Sequence, residues 1–333
     1  MSQRPRILIT CDTFTEVIDF AREHFEVVDS QGRAQSAAAE LRERLHGMDG
    51  VLVAGTDRID AALLDAAPAV RAVAIAAVGY NSIDIAACNA RGVLATNTPG
   101  ILDDTTADLG FALILAASRR LGEGERYLRA NRWKRWENDL LLGQDVHHRT
   151  LGIVGMGRIG QALARRAGGF DMPVVYHNRN RVDSAIEDRL GARWLPLDEL
   201  FATADVVCLC LPYSQAAHHL VDAALLARMK PTAVLVNIAR GGIVDENALI
   251  EALRERRIAA AGLDVYEGEP ALNPGLLELD NAVLVPHIGS ATRETRIAMG
   301  LCAARNLKAA LEGGVPPNLI NPEALAQAGT RRA

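Results

Sequence analysis

The chain has 333 residues, 49% of them hydrophobic and 23% charged, with a formal net charge of −5 at pH 7. That length accommodates two domains with their own cores, and the composition is that of an ordinary globular protein. The acidic balance removes the electrostatic case for nucleic acid or an anionic membrane surface as a partner, and no uninterrupted apolar run is long enough to span a bilayer.

The opening MSQRPRILIT has no long apolar core of the kind a signal peptide carries, so a cytoplasmic location is expected. The first hundred residues then alternate two patterns. RILIT, FEVVD, GVLVAG, VRAVAIAAVG and GVLATN read as strands, and EVIDFAREHF, AAAELRERL and DAALLDAA as amphipathic helices. This is the pattern of a parallel α/β unit. Its first strand runs into CDTFTE, which supplies no phosphate cradle. Asn97-Thr98-Pro99-Gly100 breaks the alternation, and a helix is predicted from about 102 to 121, with Asp103 or Asp104 as its cap. The next segment, GEGERYLRANRWKRWENDLLLGQDV, reads as irregular and carries Trp133 and Trp136, two of only three tryptophans. A contact surface and packing beneath the loop are both open readings.

From Thr150 the alternation resumes with TLGIVGMGRIGQALARR, a strand, a glycine turn and a helix. Gly155, Gly157 and Gly160 give G-x-G-x-x-G in the setting that a dinucleotide-binding turn requires. The first glycine permits the tight turn, the second admits a pyrophosphate, and the third lets helix and strand pack closely. The helix N-terminus offers N–H groups to the anion. Met156, Arg158 and Ile159 complete the expected contact. MPVVYH, DVVCLCLP, AVLVNIAR, IAAAGLDVY and NAVLVPHIG follow as strands, with DELFATA, DAALLARM and DENALIEALRER as helices. Pro286-His287-Ile288-Gly289 is a second breaker before a helix from about 294 to 311. Two breakers around a self-contained α/β block predict two parallel-sheet domains. A Rossmann dinucleotide-binding domain (101–287) is inserted in a flavodoxin-like substrate domain (1–100 and 288–333), with ligand expected in a cleft between them.

An NAD-binding fold places an acid at the end of its second strand to grip the ribose 2′-hydroxyl. Here VVYH ends in His177 and continues Asn178, Arg179, Asn180, Arg181, with no acid before Asp183. A carboxylate would repel a 2′-phosphate, whereas Arg179 can bind one through a forked charged contact. NADP(H) is therefore the expected cofactor, NAD(H) the alternative, with Asn178, Arg179 and Asn180 on the phosphate side. The five cysteines form no metal-binding spacing, and Cys208 and Cys210 read as small buried residues on one strand face. His147–His148 and His218–His219 are doublets whose side chains should point apart, and no metal site is expected.

Arg240, Glu269 and His287 each fall at or just beyond the end of a predicted strand, on the edge that lines the ligand crevice of an open parallel sheet. The three suit reduction of a ketone beside a carboxylate. Arginine holds the carboxylate, histidine delivers a proton as hydride arrives, and the acid orients the imidazole.

The chain resembles the D-isomer-specific 2-hydroxyacid dehydrogenases over nearly its whole length. The resemblance is carried by AVGYNSID (77–84), NTPGILDDTTADLGFALILAASRR (97–120), TLGIVGMGRIGQALA (150–164), NIARGGIVDENALIEAL (237–253), GLDVYEGEP (262–270) and PHIGSAT (286–292). It implies Arg240 as carboxylate anchor, His287 as acid/base and Glu269 as its partner, with the N–H groups of Val78 and Gly79 on the substrate carboxylate. It further implies Asp264 on the nicotinamide carboxamide, Thr106, Ile238 and Ala239 along the nicotinamide, and Leu211 and Pro212 at the adenosine half. Gly289 joins these cofactor contacts. Through YHNRNR the chain is most similar to glyoxylate/hydroxypyruvate and 2-ketogluconate reductases, so small 2-keto acids such as glyoxylate and hydroxypyruvate are the expected substrates. The loops 11–14, 54–57 and 133–142 would shape the pocket for the substrate tail. The family also implies a homodimer joined through the cofactor domains. The weighed alternatives are an NAD-dependent phosphoglycerate dehydrogenase and, outside enzymes, a dinucleotide-sensing scaffold like the C-terminal binding corepressors.

Overall fold

The computed structural model describes residues 4–32, 38–55 and 57–328; Ala37 of the AAAELRERL stretch and Thr56 of the 54–57 loop lie outside them. The chain divides into two units, Met1–Leu102 with Ala291–Ala333, and Asp103–Ser290.

Short runs of Val, Ile, Leu and Ala build the first sheet: β1 (Arg6–Ile9), β2 (Glu26–Val28), β3 (Gly50–Val53), β4 (Ala72–Ile75) and β5 (Leu94–Thr96), in the order β2-β1-β3-β4-β5. Every pairing is parallel, and this is the flavodoxin-like order. The strands read as continuous apolar runs because helices cover both faces and bury both sets of side chains. The outer edge of β5 is closed by a distant segment. Leu319 bridges Thr96, Ile320 N–H donates to Ala95 O at 2.9 Å, and the Asn321 amide bonds Ala95 N–H and Val93 O at 2.8 and 2.9 Å.

The second sheet comprises β6 (Leu151–Val154), β7 (Val174–His177), β8 (Ala192–Trp194), β9 (Val206–Leu209), β10 (Val234–Asn237), β11 (Ala260–Leu263) and β12 (Ala282–Leu284). Its order is β12-β11-β10-β9-β6-β7-β8, again wholly parallel. The order reverses at β6, the switch point beside which ligands bind in open α/β sheets. The expected class, two doubly wound parallel sheets, is what the chain forms.

Several local expectations need correction. β8 does not read as a strand in the sequence because the exposed Arg193 interrupts its apolar run. The segment after Leu121 begins as a helix, Leu121–Arg129. Asp103 and Asp104 lie inside the first turn of the helix Asp103–Ser118 rather than before it. There Asp104 meets Arg165 and Arg166, each at 3.1 Å. Trp133 and Trp136 are 52% and 75% exposed, so neither packs beneath a loop. The histidine doublets do not point apart: the rings of 147 and 148 lie 5.0 Å from each other, and those of 218 and 219 stack at 3.9 Å. In both, the second histidine sits at positive φ (60° and 51°), which breaks the strand or helix geometry that would separate the side chains. Among the described residues no helix is long and apolar enough to cross a membrane.

Candidate active site

In the second unit the glycine turn leaves the carboxyl end of β6. Gly155 adopts φ +104°, and a Cβ there would lie 2.6 Å from the Leu211 nitrogen. A Cβ on Gly160 would lie 2.3 Å from the Gly155 carbonyl oxygen, whereas one on Gly157 would meet nothing within 4 Å. Two glycines thus close the turn and the third leaves a cradle open beside the N-terminus of the helix Arg158–Gly168. The residues present fit a dinucleotide pyrophosphate at this place. The N–H of Met156 is already committed, donating to Asn178 Oδ1 at 2.7 Å, while the indole N–H of Trp194 donates to the Asn178 carbonyl at 3.1 Å. Asn178 therefore ties the end of β7 to the turn. Leu211 and Pro212 follow β9 on the same edge.

Arg181 is spent on Glu187 in a forked pair at 2.7 and 2.6 Å, and the Tyr176 hydroxyl donates to the same carboxylate. Arg179 and Asn180 are exposed. Arg179 makes no ion pair among the described residues. Asp183 caps its own helix by accepting from Ala185 N–H at 2.8 Å.

The three candidate catalytic residues follow β10, β11 and β12, three adjacent parallel strands, so all leave the sheet at the edge where the glycine turn lies. His287 Nδ1 and Glu269 Oε2 are 2.6 Å apart. Glu269 Oε1 accepts the Tyr266 N–H at 3.0 Å, which fixes the carboxylate from behind. Burial pushes the Glu269 carboxyl up, but its bonds to His287 and Tyr266 N–H and the charges of His287 and Arg240 outweigh this and hold it below the usual range. Burial likewise pulls the Arg240 guanidinium down, opposed by the charges of Glu269 and Asp264. The Arg240 loop is held by Asn237, whose Nδ2 donates to Arg240 O and whose Oδ1 accepts from Ala239 N–H, both at 3.0 Å.

Three features here were not foreseen. Gly241 packs so tightly that a Cβ would sit 1.8 Å from the Tyr266 carbonyl carbon, which brings the Arg240 loop against the Glu269 loop. Asp264, 1% exposed, accepts N–H bonds from Ile288 at 2.6 Å and Gly289 at 2.9 Å, anchoring the chain just after His287. Burial pushes its carboxyl up, and those two N–H bonds oppose the rise. Finally, the Tyr266 hydroxyl donates a three-centre bond to Leu263 O and Val285 O at 3.0 and 2.9 Å. No spacing in the sequence signals these contacts, because each joins separate strand ends. Thr106 approaches the same place, its methyl 3.3 Å from where a Gly289 Cβ would stand. Ile238 and Ala239 are buried after β10.

In the first unit, Val78 and Gly79 follow β4 at its carboxyl end. Asn97 Nδ2 donates to Val78 O at 2.8 Å, and neither N–H is bonded among the described residues.

A switch-point crevice with a glycine turn, flanked by an arginine and a histidine–carboxylate pair, defines a dinucleotide-dependent dehydrogenase. The model of the D-isomer specific 2-hydroxyacid dehydrogenase NAD-binding domain matches residues 111–289. The chain is 46% identical over 326 residues to the glyoxylate reductase of Thermococcus onnurineus, covering 97% of both chains. It is 44% identical to glyoxylate/hydroxypyruvate reductase B of Klebsiella pneumoniae, over 96% of this chain and 99% of that one. The crystal structure of an NADPH-dependent glyoxylate/hydroxypyruvate reductase from Sinorhizobium meliloti, in complex with NADP and malonate, matches with a TM-score of 0.84 at 35% identity, over 97% of this chain and 98% of that one. The chain belongs to the D-isomer specific 2-hydroxyacid dehydrogenase family. It is an oxidoreductase of the CH–OH group of 2-hydroxy acids, with a dinucleotide-binding Rossmann domain.

Proposed function

We propose that the chain reduces small 2-keto acids, glyoxylate and hydroxypyruvate, to 2-hydroxy acids, with NADPH preferred over NADH. The observation that carries the chemistry is the 2.6 Å contact between His287 and Glu269 on the sheet edge that also presents Arg240. With Nδ1 taken by the carboxylate, Nε2 is the nitrogen left to give a proton to the substrate carbonyl oxygen. Glu269 stabilises the charged imidazole before transfer and holds the ring's orientation. Arg240 supplies a forked cation for the substrate carboxylate, assisted on this reading by the N–H groups of Val78 and Gly79. The bound dinucleotide supplies the hydride. Asp264 keeps the His287 loop in place, and its remaining lone pairs face the role of carboxamide acceptor.

The cofactor preference is supported by the unpaired Arg179 and the absence of an acid at the end of β7. The exposed Trp133 and Trp136, with Leu121, Leu128 and Leu142, support a homodimer formed through the second unit. Sedimentation equilibrium showing only monomer at assay concentration would remove that part.

The deciding experiment is initial rates of cofactor oxidation with hydroxypyruvate, NADPH and NADH side by side. Faster turnover with NADPH is expected. Preference for NADH would overturn the phosphate-site reading, and no turnover with either cofactor would overturn the substrate assignment.

A further inference from the structure

Outside the catalytic pair, His218, His219 and Glu267 converge. One ring nitrogen of each histidine and a carboxylate oxygen of Glu267 all lie within 4.8 Å of one another. We infer that these three side chains form a binding site for a divalent transition metal of the zinc class.

The donor set is two imidazoles and one carboxylate, which suits zinc and its neighbours rather than magnesium or calcium. The left-handed backbone of His219 turns the doublet so that both rings face one way, stacked 21° from parallel. Tyr213 O–H lies 3.2 Å from His218 Nδ1, an outer contact of the kind that orients a metal-binding imidazole and leaves its other nitrogen for the ion. His219 Nε2 is 3.0 Å from Glu267 Oε2, and the two side chains are 38% and 42% exposed, so an ion can enter from solvent.

Both backbones are anchored. His219 N–H donates to Gly242 O at 2.9 Å, and Glu267 N–H donates to Glu246 Oε1 at 2.7 Å. A tetrahedral zinc holds its donors roughly 3.3 Å apart; His219 Nε2 and Glu267 Oε2 already stand near that spacing, and all three donors lie within 4.8 Å. Three protein ligands leave a fourth position for water.

The test is zinc chloride titrated into the chelator-stripped full chain, in competition with a chromophoric zinc chelator. One equivalent should bind at micromolar affinity, weakened about tenfold or more by His218→Ala and by Glu267→Gln. His147→Ala is the control, since among the described residues that doublet belongs to no cluster of three such ligands, Asp145 lying 3.8 Å from His147, and should bind as wild type does. Zinc should also raise the melting temperature of wild type and of His147→Ala but not of a His218→Ala/Glu267→Gln double variant, whose metal-free melting shows that it folds. Failure to bind one equivalent, or equal affinity in the His218 and Glu267 variants, would overturn the site. Binding is read without turnover, so the outcome is independent of the substrate assignment.

Discussion

The two sheets are built by the same rules, yet their carboxyl edges offer different chemistry. The edge of the second sheet carries a glycine turn, a guanidinium and a histidine–carboxylate pair, each held by backbone contacts between neighbouring strand ends. Its counterpart in the first sheet has no glycine cradle after β1 and presents main-chain N–H groups at Val78 and Gly79, clamped by Asn97. Parallel winding supplies a crevice in both cases. What sets the two apart is the identity of a few residues placed just past the strands.

The sharpest way to break this contrast is to remove the proposed proton donor. His287→Ala should lower kcat by about a hundred- to ten-thousand-fold, with dinucleotide affinity unchanged in a fluorescence titration. A variant that keeps wild-type turnover would take the second edge out of the chemistry.

A smaller effect is expected at the phosphate side. Arg179→Ala should raise the KM for NADPH about tenfold, the cost of one charged hydrogen bond, and leave that for NADH alone. An equal loss for both cofactors would mean that Arg179 has no part in their discrimination.

The first sheet is probed through Asn97→Ala, which frees the Val78 carbonyl and loosens the two amides. A rise in the keto acid KM of about fivefold, with kcat little changed, is expected from losing one neutral contact. A collapse in kcat would make that edge as chemical as the other.

The smallest effect is electrostatic and confined to the second sheet. Hydrogen bonds from Arg181 and then Tyr176 hold the Glu187 carboxyl down at about 2, against an ordinary 4.5. A carboxyl that binds its proton more weakly in the folded state stabilises that state above its unfolded pKa, and the contribution drains as pH falls through the folded one. Melting temperatures of Glu187→Gln should therefore fall less steeply than those of wild type between pH about 4.5 and about 2. Parallel curves would remove Glu187 from acid stability.

Much of this was legible beforehand, for definite reasons. Parallel strands buried on both faces stand out as apolar runs, and the glycine triplet announces its turn because each glycine meets a steric demand. Arg240, Glu269 and His287 were visible because strand ends mark a crevice. Contacts that join distant loops left no such trace. The bonds by which the Asp264 carboxylate holds the backbone after His287 had no signature of their own. The convergence of the 218–219 doublet with Glu267 was invisible because Glu267 enters from another strand end and because a left-handed residue leaves no mark in a pattern of side chains.

The closure of β5 by Leu319, Ile320 and Asn321 bears on how the chain is made. The first sheet is synthesised before the second unit, but the strip that covers its edge, and the helix Arg293–Leu311 packed against it, only after that unit. All of the second unit is synthesised in between, while the first still lacks a layer. An unpaired parallel strand is a template for another chain, so the order of synthesis leaves the edge of β5 open to such pairing until residues 319–321 cover it.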